Sequence, residues 1–312
     1  MTSLNRAYTR LDVKRRYESW FLRFGLADGI GAWWIRYLLS NPGRDGCSQM
    51  PGGAAAQVWA TWFPEFGKPE TFIQEFSRSE IKLASKSFPF FVGIGENRLD
   101  DNSCTGSIEA SGRHISWSLR CHSHFSVTLS NKGWIGFSRT PHSDGVFSGE
   151  IHFGERVFNG DPLGIGVQGH NCGFRHRNFW TWMHASFPQS DGSLSTFEAL
   201  AYEMPLGLRF RKAVLWHEGD RYLLRKMRES LRDRQDMRWS FQAFSRQCQL
   251  RAEIDAGGIS VHRLPYVKTD CSGTFEVSNN SRARAKVNLK LDGKEQELMT
   301  ADGAVLEMTG DY

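Results

Sequence analysis

Along the whole chain, short stretches with large apolar side chains at every second position, or in nearly unbroken runs, alternate with turn residues. In the first half, Tyr17 to Phe24, Trp33 to Leu39, Gln57 to Phe63, Thr71 to Phe76 and Ile108 to Cys121 read as strands. Phe147 to Phe153, Phe179 to Phe187, Thr196 to Met204, Lys212 to Trp216 and Arg238 to Phe244 follow, then Leu250 to Ile254, Gly273 to Val277, Ala283 to Leu291 and Gly303 to Met308. A period of two sends alternate side chains to opposite faces of a sheet. The breaks carry hairpin chemistry, as at Asn131-Lys132-Gly133, Asp191-Gly192, Asp292-Gly293 and Asp302-Gly303. Many short strands punctuated in this way predict an all-β, antiparallel sandwich or barrel architecture. One segment departs from the pattern. Asp220 to Trp239 is rich in Arg, Lys, Leu and Met and suits a helix or a solvated loop outside the sheet; its seven basic residues against four acidic ones also admit an anion site.

Composition agrees with the strand reading. Of 312 residues, 11 are Trp, 22 Phe and 31 Gly, a mixture that favours strands and turns. The net charge of +5 is spread rather than gathered, so no nucleic-acid partner is expected. No apolar run reaches the ~20 residues of a membrane helix, and Met1 to Arg16 lacks a secretory apolar core. The six cysteines (Cys47, Cys104, Cys121, Cys172, Cys248, Cys271) show no CxxC spacing, and the simplest expectation is reduced thiols in a cytoplasmic protein.

Candidate chemistry concentrates between Gly166 and Phe187. A glycine-rich loop carries His170, Asn171 and His176 and leads into a strand on which Trp180, Trp182 and His184 share one face. Two indoles and an imidazole suit a pocket for a mostly apolar ligand, although Trp in a strand is often plain core. If Asp191-Gly192 forms a two-residue turn, Trp182 lies opposite Ala201, and Phe197, Ala199, Ala201 and Glu203 join that face. A slip of one residue brings Glu198 and Tyr202 there instead. A carboxyl among aromatic rings keeps its proton near neutral pH and can serve as an acid. Glu203 is therefore the candidate proton donor, with His184, His170 and Asn171 as further catalytic candidates, the last two orienting a hydroxyl or carbonyl. Trp180, Trp182, Phe197 and His176 are the candidate substrate contacts.

Other apparent motifs fail on context. Gly164 to Gly169 spells GxGxxG, but Asp161-Pro162 stands where a strand should end, and no helix pattern follows. His170, Cys172 and His176 lack the spacing of known zinc sites. His122 and His124 share a strand face as a lone pair, and neither GxSxG nor HExxH occurs. Neither metal nor nucleotide cofactor is expected.

Three segments resemble one family, in order and across nearly the whole chain. Tyr17-Glu-Ser-Trp-Phe-Leu-Arg-Phe24 is similar to the opening strand of tocopherol cyclase-like and carotenoid hydratase-like proteins. Gly169-His-Asn-Cys-Gly173 followed by Trp180-Thr-Trp-Met-His184 resembles their central signature, which usually reads HNWG and then WxWxQ. Cys172 and His184 depart from it. Gly303 to Gly310 is similar to the closing strand. The resemblance implies two packed lipocalin-like barrels (residues 1–175 and 176–312), with a pocket in or between them for a prenyl, polyene or other lipid-like compound. Together with the candidate acid Glu203, this gives the expectation of an acid-assisted cyclase, isomerase or hydratase that needs no cofactor. The alternatives are a carrier of the same ligands, which needs no acid in its pocket, and an interaction module with aromatics on its outer surface.

Overall fold

The computed structural model describes residues 3–12, 15–41, 54–84, 89–257 and 261–310. Two antiparallel sheets of twelve and ten strands dominate, with no α-helix among the described residues. Each sheet follows the same plan. The first opens as the meander Tyr17–Leu26, Gly31–Ser40, Ala56–Pro64 and Glu70–Phe76, and its last strand, Arg156–Gly173, returns to pair with the first. The second opens with Trp180–Pro188, Leu194–Glu203, Arg209–His217 and Asp220–Leu224, and its last strand, Lys294–Thr309, again pairs with the first. A short extra strand, Val127–Asn131 or His262–Val267, lies on the penultimate long strand of each sheet.

The first sheet curls into a nearly closed antiparallel barrel around Trp20, Leu22, Phe24, Trp33, Ile35 and Tyr37. The second encloses Met183, Phe187, Phe197, Leu215, Trp239 and Phe241. A third apolar cluster joins the two, with Phe21, Trp34 and Trp59 from one half against Trp182, Leu200 and Val305 from the other. The strands at this junction are buried on both faces, which is why Tyr17–Leu26 and Gly31–Ser40 read as nearly unbroken apolar runs. Two arginines stitch the halves together. Arg23 donates to the carbonyls of Ser281, Gly303 (3.0 Å) and Ala304 (2.9 Å), while Arg282 donates to those of Pro64 (3.0 Å) and Gly29 (3.2 Å). Charge-assisted bonds to buried carbonyls hold a junction more firmly than surface ion pairs do.

Several expectations need correction. The glycine-rich segment is no loop, since Gly164 to Gly173 belongs to the strand Arg156–Gly173. Its glycines permit close approach: a Cβ on Gly166 would meet the Arg23 carbonyl, and one on Gly169 the Phe21 ring. The stretch from Ile108 to Cys121 is a hairpin, Ser103–Ala110 with Arg113–His122, turned by Ser111 and Gly112 at positive φ. Asp220 to Trp239 is not helical. It forms Asp220–Leu224, Lys226–Asp233 and the start of Arg238–Phe244, and the first two are the edge strands of the second sheet. Long charged side chains suit strand edges, where they discourage pairing with another chain. Finally, Cys104, Cys121, Cys172 and Cys248 are free and buried, but Cys271 is disulfide-bonded, so the chain is not uniformly reduced. Cys47 lies outside the described residues.

Candidate active site

The register across Trp180–Pro188 and Leu194–Glu203 decides which acid enters the site. Pro188 pairs with Leu194, so the connection is the longer loop 189–193, closed by the Gln189 N–H donating to the Ser193 carbonyl at 2.9 Å. Asp191 caps the Ser193 N–H at 2.9 Å, and Gly192 takes the positive φ. Trp180 then faces Tyr202, Trp182 faces Leu200 and His184 faces Glu198. The slip of one residue is the register that forms. Glu203 is exposed at the strand end, and Phe197 points the other way, into the core enclosed by the second sheet.

Outer faces of both sheets line a partly open cavity of about 150 Å³. Tyr17, Ser19, Phe21, Trp34 and Arg36 line it from the first half, and Trp180, Trp182, Glu198, Tyr202, Tyr266 and Glu307 from the second. Asn171 and His176 also line it, at the junction between the halves.

Two carboxyls lie in this cavity, and their surroundings differ. Glu198 accepts hydrogen bonds from Trp182 Nε1 and Thr140 Oγ1, both at 2.8 Å and both on Oε1. Its Oε2 is buried without a partner. Burial pushes its pKa up to about 7, although the Trp182 and Thr140 bonds and the Lys212 charge pull the other way. Glu307 is more fully engaged: Oε1 accepts from Trp180 Nε1 at 2.9 Å, and Oε2 accepts from Asn279 Nδ2 at 3.3 Å and, weakly, Tyr266 OH at 3.5 Å. Burial raises its pKa as well, against the charge of Arg36 and these three bonds.

The histidines separate in the same way. His176 stacks on Tyr17 with ring centroids 3.8 Å apart, and both its ring nitrogens are covered without partners. Burial and the Arg36 charge lower its pKa to about 3, so the ring is neutral. His184 lies beneath the cavity, fully buried, with Nε2 2.7 Å from the Ser143 carbonyl, and burial lowers its pKa to about 3. His170 is inside the first barrel, stacked on Trp20 and bonded through Nδ1 to the Leu4 carbonyl and through Nε2 to Glu18, each at 2.7 Å. Of the eight expected site residues, the cavity therefore gathers Asn171, His176, Trp180 and Trp182, and leaves out Glu203, His184, His170 and Phe197. Glu198 takes the place foreseen for Glu203. Thr140 and Arg36 come from strands where nothing local in the sequence marks them, and Glu307 from the closing strand, where no candidate site residue was expected. Among the described residues, no three His, Cys, Asp or Glu side chains are grouped to hold a metal.

Comparisons with known proteins fit this architecture. CghA, crystallised with Sch210972, superposes with a TM-score of 0.66 over 94% of this chain and 88% of its own, at 12% identity. Kievitone hydratase from Nectria haematococca gives 0.57 over 99% and 95%, at 9% identity. An AttH-assigned protein from Nitrosomonas europaea gives 0.53 over 95% and 92%, at 11% identity. No protein-family model and no curated protein matches the chain. At these identities the likeness establishes the fold. The chain is an all-β protein of the lipocalin-like, two-sheet architecture shared with these three structures.

Proposed function

We propose that the protein is a cofactor-independent cyclase, isomerase or hydratase of a lipid-like compound, with Glu198 as its proton donor. One observation carries this reading. A carboxyl with pKa raised to about 7 lines a ring-walled cavity, with both protein donors on Oε1 and none on Oε2. The proton then resides on Oε2, the oxygen that no protein group holds. Delivered to an alkene or enol carbon, it forms a C–H bond with the π pair and leaves a cation on the neighbouring carbon. The indole faces of Trp180 and Trp182 stabilise that cation. A water oxygen or a second group of the substrate then bonds to it, and the surplus proton returns to Glu198. The cycle is redox-neutral and restores the acid.

Asn171 and His176 are the remaining ligand contacts in this proposal, and the units 1–175 and 176–312 each supply one wall. Likeness in fold to a hydratase supports the reaction class. The rival carrier reading needs no acid in the cavity, so the placement of Glu198 favours the enzyme. An interaction module is disfavoured because the aromatic faces meet each other inside the molecule.

The test is incubation with kievitone and with a panel of prenylated phenols and polyenes, followed by mass spectrometry for an isomer or a product one water heavier. We expect turnover by the native protein and a loss of about 10²–10⁴-fold in Glu198→Gln. Equal turnover by Glu198→Gln overturns the acid assignment. Binding of panel compounds without any turnover supports the carrier instead.

A further inference from the structure

Arg36 sits on the strand Gly31–Ser40, whose outward face turns to the cavity, and is only 4% exposed. Its guanidinium lies over Tyr266 at 4.3 Å, Trp59 at 5.1 Å and Trp34 at 5.9 Å. Rings attract a cation but offer it no lone pair in the plane where its N–H groups point. Nη1 is buried with no hydrogen-bond partner, and among the described residues no carboxylate forms an ion pair with Arg36. Glu307 feels its charge, as do Tyr17 and Tyr266, yet the Glu307 oxygens are taken by Trp180, Asn279 and Tyr266. Leaving a charged donor buried and unmatched is expensive, and natural proteins seldom do so without a purpose.

A second group points the same way. His176 packs edge-on against the same Tyr266 ring, with centroids 5.7 Å apart, and it presents two unpartnered nitrogens, one able to donate and one to accept. The cavity lining as a whole is cationic, with Arg23, Arg36, Lys132, Arg139, Arg175 and Arg177 set against only Glu198 and Glu307. Such a field concentrates anions and opposes a bare positive charge.

We infer that Arg36 and His176 form an anion-recognising subsite, and that the substrate is an acidic amphiphile whose carboxylate or ionised enol oxygens complete the guanidinium. This deepens the proposed function and rests on the same cavity. The bound anion would also offset the cationic walls, making protonation by Glu198 and the transient positive charge less costly. Glu198 supplies the proton, and Arg36 holds the group that makes its delivery tolerable.

The test uses two probes that differ only in charge, retinoate and its neutral methyl ester, each titrated into the full-length protein by quenching of Trp fluorescence. The native protein should prefer retinoate by at least about tenfold, as expected for a hydrogen bond to a charged group. Arg36→Met should abolish that preference while keeping ester binding. It should also fold, because an apolar chain replaces an unmatched buried charge. Arg36→Gln, which keeps polarity but not charge, should behave likewise. Equal affinity for the two probes in the native protein, no retinoate binding, or a preference that survives both substitutions would overturn the subsite. Glu198→Gln separates this from the catalytic proposal, since it should retain the preference for retinoate whether or not it turns over.

Discussion

Glu18 and Glu198 are both buried carboxyls on strands at the junction of the two sheets, and their surroundings shift their pKa values in opposite directions. Glu18 is wholly enclosed. Burial alone would raise its pKa, but His170 at 2.7 Å and the backbone N–H groups of Thr9 (2.6 Å) and Tyr8 (2.8 Å) outweigh it and hold the carboxylate below its ordinary range. Both of its oxygens are used. Glu198 has two donors on one oxygen and nothing on the other, and there burial wins. Burial alone therefore does not decide whether such a carboxyl keeps its proton. The number of donors matched to each oxygen does.

The sharpest way to break the comparison is to neutralise each acid in turn. Glu198→Gln should lower turnover by about 10²–10⁴-fold while raising stability at neutral pH, because the amide keeps its size and no longer carries a buried charge. Glu18→Ala should do the reverse. It strands His170 and two backbone donors, and removing one partner from a buried pair typically costs about 3–5 kcal/mol. A matched pair of thermal unfolding and activity measurements reads both effects. A stable Glu18→Ala protein would mean that the His170 knot is not structural.

Stability against pH should show the next largest effect. Folded Glu198 holds its proton more tightly than it does unfolded, with a pKa of about 7 against the ordinary 4.5. Its contribution is thus greatest below pH 4.5, falls as pH rises and levels off above about 7. The whole change is roughly 3 kcal/mol. Glu198→Gln should lack this fall, so denaturant titrations of the two proteins should converge in acid and separate towards neutrality. Glu18 runs the other way, its stabilisation being present above the ordinary carboxyl range and lost in acid. Curves that stay parallel would contradict the raised pKa.

Smaller effects sharpen the picture. Trp182→Phe removes one donor that lowers the Glu198 pKa, so the alkaline limb of the pH–rate profile should move up by under about one unit. Glu203→Gln should change neither activity nor stability beyond about 0.5 kcal/mol, as for an ordinary surface position. A clear loss of activity there would restore the acid that the strand register removed.

Much of this molecule was legible before its structure. Alternation and turn residues pointed to the antiparallel strands, and the indoles of Trp180 and Trp182 marked the face that lines the cavity. The identity of the acid was not legible, because it hangs on one residue of register. Asp191-Gly192 reads as a two-residue turn, whereas Pro188 pairs with Leu194 and the loop spends three more residues. Gly164 to Gly173 hid a long strand, since glycines chosen for close backbone approach look like loop residues. Charge misled at Asp220 to Leu224 and beyond, where edge strands wear the side chains of a solvated helix. Thr140 and Arg36 are 58 and 162 positions from Glu198, and no local pattern announces a meeting of that kind.

Glu198, unlike Glu18, should keep its proton up to neutral pH. Carbon-13 NMR of protein labelled at the glutamate side-chain carboxyls tests it directly, with the Glu198→Gln and Glu18→Gln variants assigning the two signals. The Glu198 carboxyl should titrate near pH 7, and the Glu18 signal should stay ionised below the ordinary carboxyl range. A Glu198 signal that titrates with the exposed glutamates would contradict it.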